Sequence, residues 1–169
     1  MVSNIVKNVL AVISVDDVLQ KHGTNNAVDA GAELGSDCIG VFTGNVTGYL
    51  DPLPPASVAS ATATKWVLWR ATSLTFNAKY HCVVTGVSVD DSSGCLVNAP
   101  KALWIEPSVP VAKLVGAAVQ PQIEVRQEVV WASEVKTPGS VNYDLAVKVI
   151  DYHGVLQGFY HLKSAIAVS

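Results

Sequence analysis

"KTPGSVNYDLAVKVIDYHGVLQGFYHLK", residues 136–163, alternates apolar and polar side chains on both sides of a short Asp-Tyr-His-Gly turn. Because successive strand side chains point to opposite faces, the register of such a ribbon can be tested from sequence. With Asp151–Gly154 as a four-residue turn, Val149 stands opposite Leu156, Val147 opposite Gly158, Leu145 opposite Tyr160 and Tyr143 opposite Leu162. The other face then carries Lys148 with Gln157, Ala146 with Phe159, Asp144 with His161, and Asn142 with Lys163. One face is apolar and the other mostly polar, as a half-buried antiparallel ribbon requires.

Upstream, "QIEVRQEVVWASEV" (122–135) reads as a further strand, and "TPGS" fits a type II turn with Pro138 and Gly139 at its centre. A two-residue loop there sets Tyr143 against Glu134 and Val149 against Glu128. Shifting by one residue restores Leu145 to Trp131 and Val147 to Val129, so a β-bulge or odd-length loop is expected near Lys136–Ser140. The expectation is a C-terminal three-stranded meander over about 123–168, with strands reaching roughly 35–40 Å. Such ribbons need a cover, either a second sheet drawn from residues 65–106 or a neighbouring subunit.

Further toward the N-terminus, "KWVLWRATSLTF", "KYHCVVTGVSV" and "ALWIE" are successive strands, while "VPVAKLVGAAV" is compatible with helix or strand. "HCVVTGVSVDDSSGCLV" suggests a hairpin turning at Asp90–Gly94, with Val89 opposite Cys95 and Cys82 near Ala102. That register disfavours a disulfide, and Cys38, Cys82 and Cys95 are expected as buried free thiols. Residues 51–64, rich in Pro, Ala, Ser and Thr, read as an extended surface loop, and "CIGVFTGNVTGYL" as a short hairpin. Asn45-Val46-Thr47, flanked by Gly44 and Gly48, matches a glycosylation sequon and is read as a turn. "IVKNVLAVI" (5–13) is too β-branched for a helix. "SVDDVLQKHG" has Ser14 at an N-cap position, acids in the first turn and Gly23 at the end, and a second helical turn is expected over Ala27–Leu34. The class is mainly β, an antiparallel sandwich or barrel-like sheet in one domain over 1–169, with one or two short N-terminal helices.

Half of the 169 residues are hydrophobic and 15% are charged, which excludes a disordered chain. The net charge is −3, and the eleven Lys and Arg are scattered, so no strong direct binding to nucleic acid is expected. No apolar run reaches the ~18 residues that span a bilayer, and no signal peptide is read at the N-terminus.

The chain carries no P-loop, G-x-G-x-x-G, H-E-x-x-H, C-x-x-C or G-x-S-x-G, and no cofactor or metal is expected. His81 and Cys82 are adjacent on a strand and point to opposite faces, so they cannot act as a base and nucleophile pair. Asp144 and His161 are the better catalytic candidate, since a carboxylate beside imidazole can orient it as a base. With no nucleophile or metal ligand placed beside them, a cross-strand charge pair is the plainer reading. His153 falls at a turn tip, and the paired aspartates at 16–17 and 90–91 suit a helix start and a loop. Trp66, Trp69, Trp104 and Trp131 are read as core or interface anchors.

Long ribbons, low charge and no catalytic signature point to a self-assembling structural protein. The expectation is a virion component of a virus or phage, as capsid, tail, tube or decoration subunit, located in the virion or in a reducing cytoplasm. The alternative is a β-barrel or sandwich that binds a small ligand, and a third reading is a small enzyme using Asp144 and His161.

Overall fold

The computed structural model describes residues 5–25, 31–47, 66–74, 79–106, 108–116 and 118–168. In chain order they form β1 (Ile5–Ile13), α1 (Val15–His22), β2 (Ala32–Glu33), β3 (Ile39–Thr47), β4 (Trp66–Ser73), β5 (Tyr80–Asp90), β6 (Lys101–Ile105), β7 (Ser108–Val115), β8 (Ala118–Val125), β9 (Glu128–Glu134), β10 (Gly139–Asp151) and β11 (Leu156–Val168). A five-stranded sheet runs β3-β1-β4-β9-β6 and a four-stranded sheet β2-β11-β10-β5, while β7 and β8 pair only with each other. Both larger sheets are mixed, since β1 runs parallel to β4 and β2 parallel to β11. The mainly β class holds. The arrangement is two open sheets packed face to face, not a closed barrel.

β10 and β11 form the expected hairpin, two residues out of the expected register. Val149 pairs with Gly158, Val147 with Tyr160 and Leu145 with Leu162, and a bulge separates Val149 from Ile150. Asp151 sets the turn. Its carboxylate accepts the N–H groups of His153 and Val155 at 2.9 Å each, and its own N–H donates to the Val155 carbonyl. An even slip leaves every side chain on its face, so Tyr143, Leu145, Val147, Val149, Tyr160 and Leu162 are all buried as the alternation requires.

The third strand of the expected meander is elsewhere. β9 pairs with β4 and β6 in the other sheet, and β10 takes β5 as its second neighbour. The chain crosses between sheets at residues 135–138, where the N–H groups of Lys136 and Thr137 donate to the Cys95 carbonyl. The expected clash of Glu134 with Tyr143 disappears because β9 and β10 do not pair with each other.

The sheets share one buried cluster that joins Val9, Ala11, Ile13, Val67 and Trp69 to Tyr143, Leu145, Val147, Val149, Tyr160 and Leu162. Trp69 meets Tyr143 edge-on at 6.2 Å between ring centroids. The β5 register slips between Ala146 and Val147. Beside this slip the Val84 carbonyl accepts the Trp131 indole N–H at 3.0 Å, tying β9 to the opposite sheet. β4 reads "WVLW" without alternation because it is covered on both faces: Val67 and Trp69 join the shared core, while Trp66 and Leu68 join a second cluster with Val6, Ile105 and Val130.

The helix forms where its start and stop signals stand, with Val15 and Val18 buried. Ser14 occupies the N-cap position but bonds the Asp17 carboxylate and makes no side-chain bond to the backbone. Several local expectations change. Residues 39–47 make one strand against β1, so the sequon residues Asn45-Val46-Thr47 lie in β3 and not in a turn. Ala32–Glu33 is a short strand on β11, and the start of the second expected helical turn lies outside the described residues, as does the 51–64 loop. β5 does not pair with β6; instead Asp91 folds the chain back by accepting the Cys95 and Leu96 N–H groups at 2.9 and 2.8 Å. Cys38, Cys82 and Cys95 are free, the first and last buried and Cys82 half-buried.

Residues 108–115 and 118–125 are both strand. Every pair from Lys101–Ala132 through Ile105–Glu128, and again from Ser108–Val125 to Val115–Ala118, keeps one register. β6 and β9 are thus the root of a long hairpin. β7 and β8 are its distal ribbon, turning after Gly116 at φ +63° and standing outside both larger sheets.

Candidate functional site

Asp144 and His161 lie on the polar face of the β10–β11 hairpin. The register places Asp144 opposite Lys163 and His161 opposite Ala146, so the pair is diagonal and not directly opposed. Imidazole and carboxylate nonetheless meet, His161 Nδ1 to Asp144 Oδ1 being 3.1 Å, with side chains 30% and 27% exposed. A diagonal neighbour remains within reach of a long side chain.

The surroundings limit what the pair can do. Ser88 stands opposite Asp144 on β5, so the order across the sheet is hydroxyl, carboxylate, imidazole. A serine relay needs the imidazole between the other two. The ring is also held from its far side: a Cβ on Gly31 would lie 2.6 Å from His161 Cδ2, so only glycine lets the backbone come so close. Beside the pair, Lys163 bridges to Glu33 at 2.7 Å, joining β11 to β2. An open groove of about 310 Å³ runs past Gly86, Ser88, Trp131 and the pair.

The other reactive groups are placed apart. His81 is exposed and Cys82 half-buried on opposite faces of β5. Burial pushes the Cys82 thiol up to about 12, so it is no thiolate at neutral pH. Among the described residues no group of three or more His, Cys, Asp or Glu could hold a metal ion, and no helix is long and apolar enough to cross a membrane.

The four tryptophans divide. Trp66 and Trp69 are core residues, Trp131 is the half-buried inter-sheet link, and Trp104 is 71% exposed beside Val129. Trp104 and Val129 belong to a larger surface that the sequence reading missed, for Leu114, Val119, Ile123 and Val125 on the distal ribbon are exposed as well. The signal in the sequence is the alternation over 119–125, which taking 122–135 as one continuous strand hides.

The family of PixA inclusion body proteins matches residues 5–168. The chain belongs to that family. A solved PixA inclusion body protein from Burkholderia cenocepacia shares the fold, with a TM-score of 0.66 over 97% of this chain and 95% of that one at 15% identity. Among curated proteins none matches. Membership in the PixA family overturns the expected virion role: the capsid, tail, tube and decoration readings, and the virion location, give way to an inclusion body protein. Long ribbons, low charge and the lack of catalytic motifs are not specific to a virus.

Proposed function

We propose that this protein is a structural PixA-family protein that associates with copies of itself in the folded state and accumulates as inclusions in a reducing cytoplasm, acting as one domain and not as an enzyme. The observation that carries the reading is the family match over residues 5–168. Exposed apolar side chains at Trp104, Leu114, Val119, Ile123, Val125 and Val129 support it, because apolar side chains gathered on one exposed face mark an interaction surface. Three free cysteines fit a reducing compartment. In this reading Asp144 and His161 pin β10, β11 and the backbone at Gly31 together, and their role is structural.

Expression in a bacterial cytoplasm, followed by microscopy and by infrared and tryptophan spectra of isolated particles, tests the proposal. Particles whose spectra match the soluble fold support native self-assembly. A protein that stays monomeric at high concentration, or particles holding only unfolded chain, would overturn it.

A further inference from the structure

We propose that the apolar face of the β7–β8 ribbon packs face to face on the same ribbon of a second copy, tip over root, about a two-fold axis. The inference rests on the self-assembly reading and names its surface. Cross-strand partners share a face, so Leu114 with Val119, Ala112 with Pro121, and Val125 lie together with Ile123. The opposite face carries Lys113, Gln120, Gln122 and Glu124 together with Val111, Val115 and Ala118, and Lys113 and Glu124 pair at 2.9 Å. Every charged and amide side chain of the ribbon thus lies on one face, and the other, free of charge, faces water: Leu114 is 73%, Val119 71%, Ile123 63% and Val125 64% exposed. A lone two-stranded ribbon is marginal in water, so this face calls for a cover.

Continuity of register says what kind of cover fits. Counting back in twos from Leu114 and Val119 along the single register leads to Trp104 and Val129, then to Ala102 and Trp131. Trp131 belongs to the side of its sheet that packs on the opposing one. The ribbon's apolar face is thus the interior face of a sandwich extended past the end of its partner sheet. The missing layer is another β face at about 10 Å.

Edge-to-edge addition is disfavoured at both borders, because Pro110 on β7 and Pro121 on β8 lack the N–H that an added strand would need. Between root and tip the same face carries Gln127, whose amide donates to Glu106 at 3.0 Å. A lipid surface is the less fitting cover: Lys113 and Arg126 are offset by Glu124 and Glu106, which leaves no basic rim for anionic headgroups.

A second ribbon related by a two-fold axis is self-complementary. With antiparallel ribbons and the axis near Pro110 and Ile123, Leu114 and Val119 of one copy cover Trp104 and Val129 of the other. Ten residues separate these sites in the register, about 33 Å, and a ribbon roughly 10 Å wide gives each copy a face of only about 330 Å². A stable interface uses ~800 Å² per partner, so this contact is weak alone and becomes effective where many copies are held together.

Sedimentation of the full chain over a wide concentration range, with tryptophan emission recorded in parallel, tests the inference. Wild type should dimerise reversibly with a blue shift as Trp104 leaves water. Leu114→Lys and Val119→Lys, both at exposed positions, should each raise the dissociation constant ~tenfold or more and remove the shift, while Gln120→Lys on the opposite face should change neither. Ribbon variants that associate as well as wild type, association with no blue shift, or binding of the ribbon to neutral vesicles in preference to itself would overturn the ribbon contact while leaving self-assembly standing. A wild type that never leaves the monomer would overturn both.

Discussion

Gly158 and Tyr160 occupy the same face of β11, two residues apart, and the ring lies back over the glycine. A Cβ at position 158 would stand 2.6 Å from the Tyr160 hydroxyl oxygen and 2.8 Å from Cζ, although that hydroxyl must reach the Gly23 carbonyl at 2.9 Å. Tyr160 is fully buried. Gly158→Ala should therefore lower stability by about 1–3 kcal/mol through forced repacking, read as a lower urea midpoint with unchanged m-value. Asp91 is the second single-residue determinant. Burial pushes its carboxyl up, but hydrogen bonds from the Cys95 thiol, the Leu96 and Cys95 N–H groups and the Ser93 hydroxyl outweigh this and leave it below the ordinary range. A carboxyl depressed in the native state binds protons more readily when unfolded, so its stabilisation is complete above the ordinary aspartate value of about 3.9 and is lost as pH falls toward the native value. Asp91→Asn should be less stable than wild type at neutral pH, and the gap should narrow below pH ~4 in denaturant titrations run across that range.

At the scale of elements, the two sheets are held by shared apolar burial and by directional links, among them the Ser73 hydroxyl of β4 donating to the Tyr80 carbonyl of β5 and the Trp131 indole. Trp131 of β9 donates to the Val84 carbonyl of β5 at the point where the β5 register slips. Trp131→Phe keeps most of the ring and removes the donor, leaving a carbonyl without that partner. The expected loss is about 1 kcal/mol beyond that of the smaller ring, and native-state hydrogen exchange should accelerate in β5 and β9 ahead of β11. β9 would respond through its neighbours β4 and β6, because it has no ladder with β10.

For the whole molecule, the long hairpin divides into a root inside the sandwich and a ribbon outside it. Glu106 and Gln127 stand opposite each other at the junction, in the register that β6 and β9 share with β7 and β8. Replacing residues 106–127 by Asn-Gly joins the neighbouring pair Ile105 and Glu128 with a hairpin turn whose twist suits the strands. The excised protein should keep its far-ultraviolet spectrum and melt within a few degrees of wild type, since the ribbon contributes little to either buried cluster. It should fail to associate at concentrations where the full chain does. Loss of the fold on excision would instead make the ribbon part of the folding unit.

The sequence by itself determined the mainly β class, the strands of the β10–β11 hairpin and which side of it is buried, and where α1 starts and stops. Each of these follows from side chains a few positions apart: period-two alternation sorts faces, and caps and glycines end elements. The Asp144–His161 contact was legible for the same reason, even though a longer turn and a bulge together moved the register by two, because an even slip preserves the face. Only the tertiary structure decided that β9 leaves β10 for the other sheet, that β1 lies parallel to β4, and that 108–125 doubles back on itself outside the core. Backbone N–H and C=O groups are the same in every strand, so a ladder can form with any partner of suitable face. The choice among partners is made by burial summed over residues far apart in the chain.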